Sequence, residues 1–202
     1  MSTILPIFSC AAFAKGDVGP YFGGNYGLTS INTEKIIQAE ENFLRSIGYA
    51  NPKATLDSKG FGLKLFGGYQ FNRNFAAEVY YAYLGTYTLV LNAPATTTLP
   101  PISGSLDNKT QAVGIDLMGM YPFSSLQTAF VRVGYFQEKA DVSGTISGYS
   151  SSLSNVFSNY KLGVGIDWKK FNQPNPRVRT EIEYYNNDTP IIMLSLGVFW
   201  HF

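Results

Sequence analysis

The chain ends in the stretch IIMLSLGVFWHF, residues 191–202. Counted back from the end, every second side chain is large and apolar; these residues are Ile192, Leu194, Leu196, Val198, Trp200 and Phe202. The residues between them are mostly small or polar, and they are Met193, Ser195, Gly197, Phe199 and His201. A period of two predicts a strand whose two faces meet different surroundings. Because roughly 9–11 tilted residues cross a bilayer, we interpret the stretch as a lipid-facing strand of a membrane β-barrel.

The composition of the chain agrees with such a barrel wall. Of 202 residues, 14% are charged and 15% aromatic, with a mean hydropathy of -0.02. A soluble domain usually carries about 25% charged residues. In a barrel wall, apolar and polar positions alternate, so the mean hydropathy of the chain is close to zero. No apolar run reaches the ~18 residues of a transmembrane helix. The net charge of +1 and the absence of a basic stripe give no support to nucleic-acid binding.

The same alternation predicts seven more strands upstream, at residues 17–29, 59–71, 75–91, 110–123, 127–141, 159–169 and 177–185. Short turns alternate with longer connections, and the longest of these are 30–58, 93–107 and 142–155. An even number of strands closes into a ring without an exposed edge. We therefore predict an all-β fold, a transmembrane eight-stranded antiparallel up-and-down β-barrel in the outer membrane of a Gram-negative cell, with both termini in the periplasm.

Aromatic residues near the strand ends predict two girdles at the membrane surfaces. Those near the turn side are Tyr69, Phe71, Tyr121, Trp168, Trp200 and Phe202, and those near the other side are Tyr83, Tyr135, Tyr160 and Tyr184. Aromatic girdles of this kind flank the apolar band of outer-membrane barrels.

The connection 30–58 contains a candidate amphipathic helix at 33–47. Thr33 can cap it, and Gly48 can end it. The apolar residues that share a face at helical spacing are Ile36, Phe43, Leu44 and Ile47. We interpret the segment as a helix folded on the barrel rim, with a partner-binding helix as the alternative. The connections 93–107 and 142–155 are rich in Pro, Thr, Ser and Gly, and we expect them to be irregular and exposed.

The first residues are typical of an export signal. An apolar segment at 4–14 ends in Ala12-Phe13-Ala14, a small-x-small site before Lys15, although residues 1–3 lack the usual basic group. We therefore expect residues 1–14 to be removed and 15–202 to form the barrel domain. Cys10 lies in the removed part, so the mature chain would contain no cysteine. A lipoprotein with an acylated Cys10 is the weaker alternative.

Several short motifs resemble the transmembrane domain of the outer membrane protein A (OmpA) family. They are Phe66-Gly67-Gly68-Tyr69-Gln70, Glu78 with Tyr81 and Leu84-Gly85, Tyr121-Pro122, Arg132-Val133-Gly134, Ile182-Glu183-Tyr184 and the stretch from Met193 to Val198. The likeness extends over about residues 18–202 and fades in the loops. Longer members of that family carry a second, peptidoglycan-binding domain. Because the chain ends at Phe202, we expect no such domain here.

Strict alternation places nine charged side chains inside the predicted barrel. They are Lys64, Glu78, Asp116, Arg132, Lys161, Asp167, Arg179, Glu181 and Glu183. An eight-stranded barrel has room for little more than side chains, and an unpaired buried charge is very costly. We therefore expect a lumen ion-pair network in which Glu78 and Arg132 meet across the barrel axis.

The OmpA resemblance implies that such a network closes the pore, either as a structural plug or as a functional gate. Glu78, Arg132, Asp167 and Glu183 fall on matching positions of the family. Met118 stands where the family has a lysine, and Glu181 where it has an arginine. The remaining bases would have to replace them, and these are Lys64, Lys161 and Arg179.

Catalytic chemistry finds little support in the sequence. Glu181 and Glu183 share a face, but a packed lumen offers them no substrate cleft. His201 is the only histidine, and six residues at ~3.3 Å each separate it from Ser195 on the same face, too far for proton transfer. The sequence contains neither a Cys/His metal cluster nor a phosphate-binding glycine loop. We therefore predict no enzyme, no metal and no cofactor.

These observations favour a structural barrel that displays its loops at the cell surface. The expected partners are outer-membrane lipids, lipopolysaccharide and a host-surface or phage ligand at the loops. The outer-membrane assembly machinery would recognise a C-terminal signal formed by Leu194, Leu196, Val198, Trp200 and Phe202. The alternative is a narrow low-conductance channel for ions or small solutes, whose balanced lumen charges argue against strong charge selectivity.

Overall fold

The computed structural model describes residues 18–170, 173–187 and 189–202. Within these ranges the chain forms one helix, α1 (Glu34–Ser46), and nine strands. The strands are β1 (Gly19–Ile31), β2 (Lys53–Leu56), β3 (Lys59–Asn72), β4 (Phe75–Ala93), β5 (Ile102–Pro122), β6 (Gln127–Ile146), β7 (Tyr149–Lys170), β8 (Gln173–Tyr185) and β9 (Ile191–His201). The predicted signal segment, with Ala14 and Cys10, lies outside the described residues.

Eight of the strands close a ring in the order β4-β3-β1-β9-β8-β7-β6-β5, because β5 pairs back onto β4. All of the pairings are antiparallel, and each barrel strand pairs with the next barrel strand along the chain. The fold predicted from the alternation, an eight-stranded up-and-down barrel, is confirmed. The ninth strand, β2, was not predicted, and it pairs with residues 89–92 near the end of β4.

The C-terminal strand β9 joins the two ends of the barrel by pairing with β1 and β8. Its side chains divide between the two faces as the sequence predicts. Leu194 and Leu196 are 55% and 57% exposed on the outside, whereas Met193 and Ser195 are buried inside. The outward side chains would be stable only against lipid, because exposed apolar area on this scale is unfavourable in water.

Two of the short turns are stabilised by side chains placed for that purpose. Between β3 and β4, the Asn72 side-chain oxygen accepts hydrogen bonds from the backbone N–H groups of Asn74 and Phe75, at 2.8 and 3.0 Å. Between β5 and β6, the Ser124 hydroxyl accepts one from the Leu126 N–H at 3.1 Å. Asn and Ser favour turns because their side chains can bond to nearby backbone groups in this way.

The polarity of the two faces of the sheet reverses at the level of Tyr83, Tyr135 and Tyr160. On the turn side of this level, the outward face is apolar and the inward face is largely polar. On the other side, the outward face is polar and includes Thr86, Thr88, Ser105, Asp107, Lys139, Asp141, Ser143, Ser152 and Ser154. The inward face there carries Leu89, Leu91, Leu106, Val142 and Phe157. We infer that these tyrosines lie at the outer surface of the membrane.

Strands β4 to β7 continue beyond this level. The irregular loop predicted at 142–155 is therefore wrong, and the one predicted at 93–107 is confirmed only for residues 94–101, which lie outside the strands. Strand β5 begins at Ile102, and β6 and β7 meet in a two-residue turn at Ser147 and Gly148. Both turn residues have positive φ, 50° and 85°, as a tight hairpin of this kind requires. From Tyr135 to Ile146, β6 extends roughly 36 Å along its own direction. The connection between the predicted strands 159–169 and 177–185 is shorter than expected, because Lys170 already pairs with Gln173; residues 171 and 172 lie outside the described ranges.

Helix α1 packs on the apolar inner face of this extension. Leu44 is 4% exposed and forms a cluster with Tyr49 and Ala93, whereas Phe43 and Ile47 are exposed. The predicted apolar face is therefore wrong for these two residues, because the helix is covered on one side only. Among the described residues, no helix is long and apolar enough to cross a membrane.

The ends of α1 follow the sequence only in part. The Thr33 side chain makes no capping bond; the Asn32 side-chain oxygen instead accepts from the Glu34 N–H at 3.1 Å. At the other end, Gly48 adopts a positive φ of 110°, which suits a glycine after a helix. The Ala54 N–H donates to the Glu41 carboxylate at 3.3 Å, which fixes the helix to β2.

Candidate functional site

All nine charged residues predicted for the lumen point into it. Each is at most 3% exposed, and they lie on β3 to β8. Four are bases and five are acids: Lys64, Arg132, Lys161 and Arg179 against Glu78, Asp116, Asp167, Glu181 and Glu183. Burial on this scale would be prohibitive without close pairing, so their contacts decide what the lumen can do.

Arg179 anchors one part of the network. Its Nε and Nη2 donate to the two carboxylate oxygens of Asp167 at 2.7 and 2.9 Å, a bidentate pair on neighbouring strands. Its Nη1 donates to Glu78 Oε1 at 2.5 Å. The Tyr21 hydroxyl donates to the same Glu78 oxygen at 2.9 Å. Glu78 is thereby held from the far side of the barrel by β8 and from β1.

Arg132 is the centre of the network. Its Nη1 donates to Glu78 Oε2 at 2.8 Å and to Asp116 Oδ2 at 2.9 Å. Its Nη2 lies 2.6 Å from Glu181 Oε2, a charge contact at an angle unsuited to a hydrogen bond. Glu78 and Arg132 stand on β4 and β6, which are not neighbours in the ring. A single guanidinium therefore connects acids from three strands.

The two lysines complete the network. Lys161 donates to Asp116 Oδ2 and to Glu183 Oε1, both at 2.7 Å. Lys64 contacts Glu181 and lies 2.9 Å from Glu183 Oε1. Since Arg132 also contacts Asp116 and Glu181, the ionic contacts form a closed circuit. The two lysines thus supply paired bases to the network, although positions 118 and 181 carry Met118 and Glu181.

Neutral polar residues that sequence analysis did not select also contribute. Asn25 donates through its side-chain nitrogen to Glu181, and the Tyr185 hydroxyl donates to Glu183 Oε2 at 3.2 Å. Their inward positions follow from the alternation, as does that of Tyr21. The alternation therefore predicts their inward positions, although they carry no charge that marks them as members of an ion-pair network.

Aromatic rings surround the charges and narrow the lumen further. Phe66, Phe130 and Phe199 lie 4.6–5.0 Å from the Arg179 guanidinium carbon. Tyr80 lies 3.6 Å from Lys161 Nζ, measured to the ring centroid. Cations packed on aromatic faces gain electrostatic stabilisation where water is excluded. The middle of the barrel is therefore filled by paired charges and by rings.

The residues weighed for catalysis have other partners. His201 Nε2 lies 3.1 Å from Gln70 Oε1, and its ring centroid is 4.9 Å from that of Tyr21. The Ser195 hydroxyl accepts from the Asn25 side chain at 3.4 Å. Glu181 and Glu183 both contact Lys64. Within the described ranges, no group of three or more His, Cys, Asp or Glu residues could hold a metal ion.

The outward face of the extracellular extension is a second candidate site. It carries serine and threonine hydroxyl groups together with the charged side chains of Asp107, Lys109, Lys139 and Asp141. Thr88 donates to Asp107 at 2.7 Å, and Lys139 pairs with Asp141 at 3.0 Å. A hydrogen bond from the Ser154 side chain, assisted by Lys139, holds the pKa of Asp141 below its ordinary value. Asp141 therefore remains an anion on this face at neutral pH.

Comparison with known proteins places this architecture among outer-membrane barrels. The model of the outer membrane protein beta-barrel domain family matches residues 2–202. No curated protein matches the chain. Among solved structures, the chain is similar to Ail, the attachment invasion locus protein of Yersinia pestis, in complex with the heparin analogue sucrose octasulfate. The identity is 18% and the TM-score 0.50, over 91% of this chain and 99% of that one.

A second similar structure is neisserial surface protein A. It is 15% identical with a TM-score of 0.53, over 93% of this chain and 100% of that chain. At these identities the two likenesses concern the fold alone.

Proposed function

Because the chain belongs to the outer membrane protein beta-barrel domain family and lies in the cell outer membrane, we propose that it is a closed barrel displaying a recognition surface outside the cell. The observation that carries the proposal is the continuation of β4 to β7 beyond the tyrosine level. These strands hold a broad hydroxyl-bearing face above the membrane. Surface features held on a rigid scaffold are where binding function concentrates.

The filled lumen supports a closed barrel rather than the narrow channel. A channel needs a continuous water path, and ions must leave their sites as readily as they enter. Here every charge in the middle of the barrel is at most 3% exposed and already paired. Catalysis is not part of the proposal, because His201 and Ser195 are engaged by Gln70 and Asn25.

The ligands we propose are those met at the outside of the envelope, namely lipopolysaccharide, a host-surface glycan or a phage. The sulfated ligand in the Ail structure belongs to that protein. For this chain, the support is the chemistry of the outward face. Its serine and threonine hydroxyls can both donate and accept hydrogen bonds, as the hydroxyl groups of a glycan do.

Shortening the β6–β7 hairpin tests this role. We expect replacement of residues 142–153 by Asn-Gly to leave a folded barrel, because Asp141 and Ser154 pair directly and can flank a two-residue turn. Non-adherent Gram-negative cells that display the wild type should attach to glycan-coated or host-cell surfaces, and cells with the short hairpin should not. A matched control changes only Ser147-Gly148 to Asn-Gly. Equal attachment by the short-hairpin variant would contradict the proposal.

The two terminal segments of the chain are the proposed signals for export and for assembly of the barrel. We propose that residues 1–14 are removed and that Leu194, Leu196, Val198, Trp200 and Phe202 form the assembly signal. Mass spectrometry of the protein extracted from outer membranes should give a mature chain that starts at Lys15. An intact Met1 in the folded barrel would overturn the processing step.

A further inference from the structure

The extracellular mouth of the barrel contains a cavity of about 290 Å³ that the surface role does not use. Its floor is formed by Ile31, Tyr87 and Ile191, all at most 9% exposed. Its walls come from α1, from β2 and from the inward face of β5 and β6. Ligand pockets in proteins begin at roughly this volume, about 300 Å³.

Most of the wall is apolar. Its apolar lining includes Leu56, Leu89, Leu106, Val142 and Phe157. These side chains belong to the inward face that became apolar above the tyrosine level, and α1 covers only part of that face. Apolar walls of this kind favour the body of an amphipathic ligand over water.

One part of the wall is polar and acidic. The Asn187 side-chain nitrogen donates to Glu138 Oε2 at 2.6 Å, which orients its oxygen away from the carboxylate. Within the described part of the chain, neither Asn187 Oδ1 nor Asn108 Oδ1 has a hydrogen-bond partner, although both atoms are buried. The described lining contains two acids, Glu40 and Glu138, and no base. Both oxygens can only accept, so this part of the wall calls for a hydrogen-bond donor. The neighbouring carboxylates of Glu40 and Glu138 favour a donor with positive charge.

A cleft beside the cavity offers a route from the membrane surface. Ile31, Ile36, Glu40 and Thr189 line both the cavity and this cleft. The cleft also reaches Ile192, which points outward and is 49% exposed. An amphipathic molecule at the outer membrane surface could therefore enter from the side, between α1 and the start of β9.

We propose that this mouth cavity binds a small amphipathic amine, with its apolar body against Leu89, Leu106 and Phe157 and its ammonium group at Glu138 and Asn187 Oδ1. An ammonium group supplies three donors, and donors with positive charge form the stronger hydrogen bonds to carboxylates. The proposal concerns the inward face, and it stands or falls separately from the adhesive role of the outward face.

The test uses the full barrel in phospholipid nanodiscs, with phenethylammonium as the probe and empty nanodiscs as the blank. Two molecules of the same shape, 2-phenylethanol and 3-phenylpropionate, supply the neutral and anionic comparisons. Equilibrium dialysis should show phenethylammonium bound about tenfold more tightly than 3-phenylpropionate, as one charge-assisted contact implies. Equal binding of cation and anion, or no saturable binding of the cation, would overturn the proposal.

Variants locate the site. Glu138→Gln should weaken phenethylammonium binding about tenfold while leaving 2-phenylethanol unchanged. Asp141→Asn removes the same charge from the same strand but from the outward face, and it should have no effect. Ala140→Phe should fill the cavity and abolish binding of both molecules, and Val142→Trp serves if that variant does not fold. Binding that survives both filled cavities, or that falls equally in Glu138→Gln and Asp141→Asn, would place the amine elsewhere and refute the site.

Discussion

Replacement of Glu78 by alanine is expected to lower the free energy of unfolding by about 3–5 kcal/mol, the cost of breaking a buried ion pair from one side. Glu78 is 1% exposed, and its two oxygens accept from Arg179 and Arg132 at 2.5 and 2.8 Å. Without it, two buried guanidinium groups lose a shared anion, and water that enters the space carries no negative charge to compensate them. Urea unfolding of the barrel refolded in lipid vesicles, followed by tryptophan fluorescence, measures the change.

A double-mutant cycle with Arg132→Met is the control. When both residues are apolar, the remaining ions keep their described partners: Asp116 with Lys161, Glu181 with Lys64, and Arg179 with Asp167. We therefore expect the double variant to be less destabilised than the sum of the single variants, by about 0.5–3 kcal/mol. Strictly additive costs would mean that the two side chains do not stabilise each other.

The single variant Glu78→Ala also distinguishes a closed lumen from an open channel. In planar bilayers the wild-type barrel should show no steady current, and Glu78→Ala should raise the conductance by opening a water path beside Arg132. If the wild type conducts freely and Glu78→Ala alters only the ion selectivity, the lumen is an open channel, and the closed-barrel proposal fails.

The barrel and the inward positions of its charges could be predicted because a period of two fixes which face a side chain occupies. What alternation cannot give is which inward residues meet. Arg179 contacts Glu78 because closure of the ring brings β8 opposite β4, and that depends on the stagger of all eight strands. The resemblance to OmpA suggested acid and base positions, but the circuit through Lys64 and Lys161 required the closed structure.

The extracellular extension was missed for a different reason. Residues such as Ser143, Ser152 and Ser154 favour turns when considered singly. In the structure they form the outward face of strands whose inward residues, among them Val142 and Phe157, are apolar. The alternation thus continues above the membrane with its polarity reversed. The run of apolar residues on the outward face ends at the tyrosines. The pattern of apolar outward residues alone therefore predicts loops for the parts of β4 to β7 that lie beyond them.

Replacement of Leu196 by arginine is expected to cost about 2–4 kcal/mol, because a charge on the lipid face near the middle of the membrane must leave water. Leu196 is 57% exposed on the outside and lies between Tyr26 of β1 and Thr180 of β8. Leu196→Ala is the matched control: it shortens the same side chain without adding charge, so its cost should be much smaller. Reversible unfolding in vesicles compares the two variants.

Substitution of the neighbouring Gly197 should destabilise the barrel through steric overlap rather than through charge. It faces the lumen, and a methyl group there would overlap the Asn25 side-chain oxygen and the Gly24 carbonyl oxygen. Because the carbonyl belongs to the backbone, it cannot move aside cheaply. Gly197→Ala should therefore destabilise the barrel more than Leu196→Ala does, although both place alanine on the same strand. If arginine is tolerated equally at 196 and 197, the two faces of β9 are wrongly assigned, and the lipid-facing strand on which the fold rests is refuted.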